Sequence, residues 1–534
     1  ADIYASSMQS LARTALAPTR RVGGGASLLQ ARGLAAAAAG AQRVLYRSTR
    51  GGQSNLTFSE AVLQGLGTDR GLLVPQRIPT FTPEELESWR GLPFDKLANK
   101  VISKYLTDED MSAADLAQIT AASYGDQWRS SAVTPVTTLP DGMHVLELHH
   151  GPTFAFKDVA LQFLGNLFEF LLRKRNAEGL PHNITVVGAT SGDTGSSAIY
   201  GLRGKRGIEV FMMYPEGRTS PTQELQMITV LDENIHNIAL KGTFDDCQAV
   251  VKALFADGPF RRRVSLAAVN SINWARILAQ TVYYIHAYLA VTEPGAALAG
   301  TQVSFSVPTG NFGDVLAGWY AKQMGLPVRQ LLVATNENDI LHRFFQAGDY
   351  SQKGVKETLS PSMDIQISSN FERFLFHAGG DDAMALKGLM KRFEEGGALE
   401  PPAALLSACR QDMDSERVAD EEVLATIAQV HIASGGTHLL DPHSAIAVAG
   451  ARAYLRRSPP SEASVPMVAL ACAHWAKFAS AVGRAVGEEA ASGLVLPEPL
   501  ASLEGKPTRV APLPNDVDAI RSFIDETLAA RKAG

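Results

Sequence analysis

The residue with the clearest chemical potential is Lys157, which follows two phenylalanines and precedes the mostly apolar run Val159–Leu172. A helix that is apolar all round is buried. An ammonium group at the start of a buried helix is costly unless it is paired, neutral or covalently used. A structural ion pair, or a side chain that reaches out to water, would also account for this lysine. Lys157 is therefore a candidate reactive amine whose use depends on the rest of the chain.

Two glycine-rich segments follow predicted strands, the first glycine loop (Val186–Ala198) and the second glycine loop (Ser306–Gly318). Glycines let the backbone bend close to a ligand, and the free N–H groups at a helix start attract anions. Ser191, Thr194 and Asn311 add side-chain donors. Neither loop has the pattern of a nucleoside-triphosphate or dinucleotide loop, so we expect small anions. Ordinary turns with helix N-caps are the alternative.

A third candidate anion site is "VNSINWARI", which contains Asn270, Ser271 and Arg276. Arginine presents a fork of donors that matches phosphate, and Asn and Ser can complete the shell. The alternative is a helix start with a surface arginine. One amine and up to three anion pockets fit pyridoxal phosphate. The lysine would form the Schiff base, and the pockets would take the cofactor phosphate, the carboxylate of an amino acid and a further substrate anion.

A series of motifs resembles the successive signatures of threonine synthases, particularly their longer fungal and bacterial branch. In chain order they are "STRGG", "FSEAVLQGLGTDRGLLVP", "HHGPTFAFKD", "SGDTGSSA", "NSINWARI", "PTGNFGD", "TNENDILHRFFQAGDY", "SMDIQISSNFERFLF" and "DPHSAIAVA". The resemblance implies a pyridoxal phosphate enzyme of fold type II, a lyase of threonine biosynthesis. It would convert O-phospho-L-homoserine and water to L-threonine and phosphate by elimination and hydration, in a cleft between two α/β domains.

The resemblance also implies a role for each motif residue. Lys157 would carry the Schiff base, and its freed amine would be the general base for the Cα proton. The cofactor phosphate would be bound by Gly310, Asn311, Phe312, Gly313 and Asp314. Ser191 and Thr194 would face the substrate carboxylate, and Asn270, Ser271 and Arg276 would hold the substrate phosphate.

The segment Ala471–Phe478, "ACAHWAKF", departs from the family pattern Ser-Thr-Ala-His-Pro-Ala-Lys-Phe. Cys472 replaces the threonine that would face the pyridine nitrogen, and Trp475 replaces the proline. A thiol is a weak hydrogen-bond donor. Cys472 is expected to be the neutral partner of the cofactor ring, with an inert core thiol as the alternative. Two other functions stay open, a related phospho-lyase that gives 2-oxobutyrate and a non-catalytic protein that keeps the fold.

The elements that must position these residues alternate between strands and helices from about residue 125, which predicts parallel α/β layers. Helical segments precede them, and residues of about 350–440 form a mostly helical insertion. We expect four parts. They are a leader at 1–43, an N-terminal helical domain at 44–130, a large α/β domain at 131–170 plus 301–534, and a small α/β domain at 171–300.

The composition limits the classes of protein to which the chain can belong. The chain has 534 residues, of which 46% are hydrophobic and 19% charged, as in a folded enzyme. Residues 1–50 carry seven arginines and one acidic residue, although the whole chain has a net charge of −6. This start resembles an organellar transit peptide, for which we expect the plastid first and the mitochondrion second. We expect no membrane span, no nucleic-acid partner, and a monomer or homodimer.

The number and spacing of the cysteines and histidines predict neither disulfides nor a zinc site. Three widely spaced cysteines indicate a reducing compartment. The chain has neither Cys-x-x-Cys nor His-Glu-x-x-His. His149 and His150 are neighbours on an extended segment, so they are expected to point to opposite faces and not to bind a metal.

Overall fold

The structure is a computed structural model that describes residues 43–179, 183–267 and 269–533. The chain divides into two compact units, Ala1–Arg43 and Val44–Gly534, of which the second is described below. The predicted leader at 1–43 lies, apart from its last residue, outside the described residues. No helix among the described residues is long and apolar enough to cross a membrane.

Fifteen strands form four sheets in the described part of the chain. In chain order they are β1 Tyr46–Ser48, β2 Leu73–Pro75, β3 Val136–Thr138, β4 His144–Glu147, β5 Ile184–Ala189, β6 Ile208–Pro215, β7 Ile235–Leu240, β8 Leu266–Ala267, β9 Val303–Pro308, β10 Val328–Thr335, β11 Tyr350–Ser351, β12 Ala398–Leu399, β13 Met413–Arg417, β14 Met467–Ala471 and β15 Ala511–Leu513.

Two of these sheets form the framework of the fold. The larger has six strands in the order β13-β10-β9-β14-β4-β3, and β3 alone runs antiparallel to its neighbour. The smaller has five parallel strands in the order β15-β7-β6-β5-β8. Parallel strands covered by helices on both faces are buried along their whole length, as β9 and β14 are, and they are mostly apolar. The predicted α/β fold with parallel layers is confirmed.

Helices connect these strands and cover the sheets. Their bounds are Phe58–Gln64, Pro83–Ser88, Phe94–Ser103, Ala113–Ser123, Lys157–Ala177, Asp193–Leu202, Pro221–Ile228, Phe244–Ala256, Gly258–Arg263, Trp274–Val291, Ala296–Ala299, Gly313–Met324, Ile340–Ala347, Phe371–Ala378, Ala383–Gly396, Ala403–Asp412, Asp420–Ala433, Pro442–Arg457, Pro460–Ala463, Ala479–Val486, Glu488–Ser492, Glu498–Ala501 and Val517–Ala533. Short 3₁₀ helices lie at Pro361–Met363 and Trp475–Phe478.

Two helices cross in close contact where glycines remove the side chains. A Cβ added to Gly165, in helix Lys157–Ala177, would lie 1.9 Å from the carbonyl oxygen of Gly201. Gly201 lies in helix Asp193–Leu202, and a Cβ there would lie 2.4 Å from the Leu161 carbonyl oxygen. This crossing fixes the distance between the two helix starts, and therefore between Lys157 and the first glycine loop.

The division into domains stays a prediction, and one strand, β15, joins a different sheet from the one that this division implies. β15 pairs with β7 of the smaller sheet, and helix Val517–Ala533 packs near it through Ile520 and Ile524. The division predicted from the sequence assigns 301–534 wholly to the large domain. β15 is three residues long and contains a proline, so its pattern did not indicate which sheet it would join.

Candidate active site

Lys157 is fixed by an irregular pairing of two chain segments. The Phe156 N–H donates to the Cys472 carbonyl oxygen at 2.7 Å, Ala155 forms a β-bridge with Ala473, and the His474 N–H donates to the Phe154 carbonyl oxygen at 3.1 Å. The Lys157 helix then begins directly. The lysine therefore starts its helix beside the carboxyl end of β14.

The amine of Lys157 is buried and faces a carboxylate. The residue is 8% exposed, and Nζ lies 3.5 Å from Asp193 Oδ2. Burial lowers the pKa of Lys157, and the charges of Lys477 and Arg276 lower it further, although Asp193 opposes them. More of the amine is therefore unprotonated near neutral pH than in an exposed lysine, which is what a nucleophile or base requires.

Asp193 is the centre of an ion-pair network around that amine. Its Oδ1 lies 2.6 Å from Lys477 Nζ and accepts a hydrogen bond from Gln223 Nε2 at 2.8 Å. The Ser362 hydroxyl donates to Oδ2 at 3.4 Å. Burial opposes ionisation of Asp193, but the charges of Lys477 and Lys157 outweigh it and lower its pKa. Asp193 is thus a carboxylate that holds two lysines.

The first glycine loop bends sharply into helix Asp193–Leu202. The hydroxyl oxygen of Thr190 accepts hydrogen bonds from the N–H groups of Gly192 at 2.9 Å and Gly195 at 2.8 Å. Gly192 has φ 147°, where a side chain would be strained. Ser191 is exposed and Thr194 is half-buried on this bend. The loop therefore presents both hydroxyl residues at a helix start, as the anion prediction requires.

The second glycine loop ends in a left-handed residue. Phe312 has φ 63° and precedes helix Gly313–Met324, while its ring is buried against Phe371 and Phe374 at centroid distances of 5.1 and 5.5 Å. A non-glycine residue in this conformation is uncommon and needs support from its surroundings. The aromatic contacts supply that support and hold the N–H groups of the helix start in place.

Asn370 links the second glycine loop to the third candidate anion site, "VNSINWARI". Its side-chain Nδ2 donates to the carbonyl oxygens of Ser271 and Asn311, each at 3.1 Å. Arg373 in turn donates to Asn370 Oδ1 at 2.6 Å and to the Ile272 carbonyl oxygen at 2.6 Å. Two of the predicted anion sites are therefore neighbours, held together by residues from "SSNFERF".

Arg276 lies in the interior, which excludes the alternative of a surface arginine. It is 4% exposed, and its Nη1 donates to the Val269 carbonyl oxygen at 3.1 Å. The buried Nε has no hydrogen-bond partner among the described residues. Burial lowers the pKa of Arg276 to about 10, so it stays charged at neutral pH. A buried cation with an unused donor is suited to bind an anion. Asn270, by contrast, is exposed.

Asp314 uses its carboxylate to hold two tyrosines. Its Oδ1 accepts hydrogen bonds from Tyr283 at 2.6 Å and Tyr284 at 2.7 Å, while its buried Oδ2 has no partner in the described part of the chain. Burial raises the pKa of Asp314 to about 6. An ionised carboxylate only accepts hydrogen bonds. Asp314 can therefore donate to a phosphate through its N–H and not through an ionised side chain.

Cys472 follows β14 directly and is buried, and the three cysteines are all free. Its N–H donates to the Ser444 hydroxyl at 3.0 Å. Burial raises the pKa of the Cys472 thiol well above its usual value, and the charges of Asp314 and Asp441 raise it further. The thiol is therefore neutral at pH 7, as expected for a partner of a neutral ring nitrogen.

The prediction that His149 and His150 point to opposite faces is wrong. Their rings stack with centroids 4.8 Å apart and an interplanar angle of 28°. Alternation holds only along a regular strand, and β4 ends at Glu147. Sequence reasoning also missed Asp193, although this acid lies inside the quoted loop "SGDTGSSA" at a helix start.

Pyridoxal phosphate fits these residues. An aldehyde-bearing anion needs an amine and N–H donors. The structure offers the buried Lys157, the unused Nε of Arg276 and the N–H groups at the starts of helices Asp193–Leu202 and Gly313–Met324. Asp193, the first residue of its helix, lies 3.5 Å from the lysine amine, and the fold contains two mainly parallel sheets. This arrangement defines the class as a pyridoxal-phosphate-dependent enzyme of fold type II. Residues 133–472 match the family described as pyridoxal-phosphate dependent enzyme.

The regions at both ends of this match, and proteins of similar sequence, indicate which family within this enzyme class the chain belongs to. Residues 45–124 match the family described as threonine synthase N terminus, and residues 444–524 match threonine synthase, C-terminal. A threonine synthase of Pseudomonas aeruginosa is 46% identical over 90% of this chain and 98% of its own length. One of Eremothecium gossypii is 46% identical over 91% and 98%. The chain belongs to the threonine synthase family.

A solved structure agrees with this assignment. The PLP-bound threonine synthase of Brucella melitensis has a TM-score of 0.84 and 43% identity, over 91% of this chain and 99% of that one. The similarity therefore extends over both sheets and the helical N-terminal region, and the predicted family is confirmed.

Proposed function

We propose that this chain is a threonine synthase, which converts O-phospho-L-homoserine and water to L-threonine and phosphate. It acts as a pyridoxal-phosphate-dependent lyase. The observation that carries the proposal is the buried Lys157 amine, 3.5 Å from Asp193 and beside the neutral Cys472 thiol. Membership of the threonine synthase family supplies the substrate class.

The cofactor site is proposed from the same residues. When bound, pyridoxal phosphate supplies an aldehyde for an amine and a ring that accepts electrons. Lys157 would join to that aldehyde, and Cys472 would face the ring nitrogen. The cofactor phosphate would be bound by Gly310, Asn311, Phe312, Gly313 and Asp314, through their N–H groups at the helix start and the Asn311 amide.

Lys157 would also be the general base of the reaction. Its pKa is lowered by burial and by neighbouring cations, so the free amine can take a proton from substrate Cα onto Nζ. Asp193 lies close enough to stabilise the protonated amine that results. The ion pair with Lys477 keeps Asp193 ionised for this purpose.

Two anion subsites would orient the substrate. Ser191 and Thr194 would face its carboxylate from the start of helix Asp193–Leu202. Asn270, Ser271 and Arg276 would hold its phosphate, with Arg276 as the buried charge and the Ser271 backbone tied to Asn370. Binding both ends of a short substrate places the carbon between them at the lysine. The unused Nε of Arg276 supports this role.

Product analysis tests the proposal. With O-phospho-L-homoserine and pyridoxal phosphate, the purified chain is expected to release threonine and phosphate in equal amounts. Lys157→Ala should abolish turnover and the visible absorbance of the bound cofactor, whereas Lys391→Ala, at a side chain 73% exposed, should keep both. Phosphate with 2-oxobutyrate in place of threonine would establish the phospho-lyase alternative. Absence of cofactor absorbance in the unaltered chain would establish the non-catalytic one.

We further propose that the arginine-rich leader directs the chain to an organelle, the plastid before the mitochondrion, and that the enzyme is a monomer or homodimer. The support for the leader is that residues 1–43 carry five arginines and a single acidic residue, Asp2. A fluorescent fusion of residues 1–43 should enter one of these organelles, and a cytosolic signal would contradict the proposal. Light scattering of the purified chain gives the number of subunits.

A further inference from the structure

A cluster of metal-binding side chain types lies at the end of β4, outside the proposed reaction. It consists of Glu147, His149 and His150, and it is hereafter the β4 cluster. One ligand atom from each residue lies within 4.8 Å of the others. His150 Nε2 is 2.7 Å from Glu147 Oε2, and the two imidazole rings are stacked.

The backbone explains why the three side chains converge. β4 ends at Glu147, so neither residue 149 nor residue 150 is held to the alternation of a regular strand. Beyond the strand, the ligand atoms of both histidines lie within 4.8 Å of the Glu147 carboxylate and of each other. The Arg129 guanidinium, which donates to the Gly151 carbonyl oxygen at 2.6 Å and to that of His149, helps to fix this turn.

The β4 cluster is also oriented and accessible. The Thr137 hydroxyl donates to Glu147 Oε1 at 2.9 Å, which leaves Oε2 to face the histidines. His149 Nδ1 is buried without a hydrogen-bond partner among the described residues. The side chains of Glu147 and His150 are each 21% exposed, so an ion can reach them. The Arg129 charge lies over the Phe154 ring, 3.3 Å from its centroid, and is engaged there.

We propose that Glu147, His149 and His150 bind one divalent transition-metal ion, with Zn²⁺ as the best match. Two imidazoles and one carboxylate are a known ligand set for tetrahedral zinc, with the fourth position left to water. Two ligand atoms on one zinc ion are at most about 4 Å apart, given bond lengths of about 2.0–2.1 Å. Small side-chain rotations close the cluster to that size, and the metal replaces the His150 to Glu147 hydrogen bond. The proposal does not depend on the catalytic activity.

Metal titration of the full chain, without a histidine tag, tests the proposal. Calorimetry with Zn²⁺ and absorbance with Co²⁺ should show one equivalent of tight binding. Glu147→Gln and His149→Phe should each weaken it by more than about 100-fold, and Thr137→Val, which frees the carboxylate, by about 10–100-fold. The matched control is His236→Ala, because His236 pairs with Glu209 at 3.0 Å and no second imidazole is part of that pair.

The contrary results are equally specific. Zn²⁺ binding that is the same in Glu147→Gln as in the unaltered chain would overturn the site, and so would an equal loss in His236→Ala. Cofactor absorbance and circular dichroism show that each variant is folded. Should His149→Phe not fold, Glu147→Gln decides the matter by itself, since glutamine keeps the size of the side chain.

Discussion

Replacement of Lys477 by methionine tests the ion-pair network most directly. Lys477 Nζ lies 2.6 Å from Asp193 Oδ1 and donates to the Thr153 carbonyl oxygen at 2.9 Å, and its side chain is fully buried. Methionine has a similar length and fills the space without charge. The variant therefore leaves Asp193 buried with one cation, Lys157, at 3.5 Å.

The expected loss of stability follows from that uncompensated charge. Removing one partner of a buried ion pair costs about 3–5 kcal/mol, because the remaining charge stays desolvated. Gln226 still donates to the Thr153 carbonyl oxygen at 3.2 Å, so this oxygen adds little. Lys391→Met is the matched control. Its ammonium is exposed and 3.8 Å from Glu395, and such a pair contributes less than about 1 kcal/mol. Urea unfolding of both variants measures the difference.

A second measurement separates the electrostatic role from packing. Lys477 lowers the pKa of Lys157, so its removal should raise that pKa and shift amine reactivity to higher pH. The pH profile of borohydride-trapped pyridoxal phosphate on the cofactor-free chain reports this shift. Equal unfolding free energies for Lys477→Met and Lys391→Met, or a profile that moves to lower pH, would refute the reasoning.

Three further outcomes are expected. Gly165→Ala should cost at least about 1–3 kcal/mol in urea unfolding, because its Cβ would lie 1.9 Å from the Gly201 carbonyl oxygen. Gly354→Ala, which faces open space, should cost much less, and equal losses would contradict the close helix contact. Burial raises the pKa of Asp314 to about 6 from 3.8, so its contribution to stability is full below about pH 4 and is lost as the pH rises through about 6. Asp314→Asn should remove this loss of about 3 kcal/mol, seen as a flatter pH dependence of unfolding, and an unchanged dependence would assign it to other groups. A thiol reagent should modify none of the three buried cysteines in the native chain and all three in denaturant, so a native reaction would show an exposed thiol.

Local patterns were enough to predict the helix starts that carry the candidate site. The run Val159–Leu172 predicted a buried helix with Lys157 at its start, and the helix does begin at Lys157. The two glycine loops predicted helix starts, which the structure has at Asp193 and Gly313. Helix periodicity, apolar strands and glycine bends each depend on a few consecutive residues. They can therefore be predicted without knowing which distant segments pack against them.

The sequence by itself determined the lysine at the start of a buried helix, the glycine loops and the parallel α/β class, because local physics specifies them. Tertiary structure alone decided which charges meet. Lys477 and Thr153 are 324 positions apart, and they meet because β14 lies beside β4 in the sheet. The burial of Arg276 and the stacking of His149 on His150 were decided in the same way. Contacts between distant segments depend on strand order and on where strands end, and neither is encoded in the spacing of a single motif.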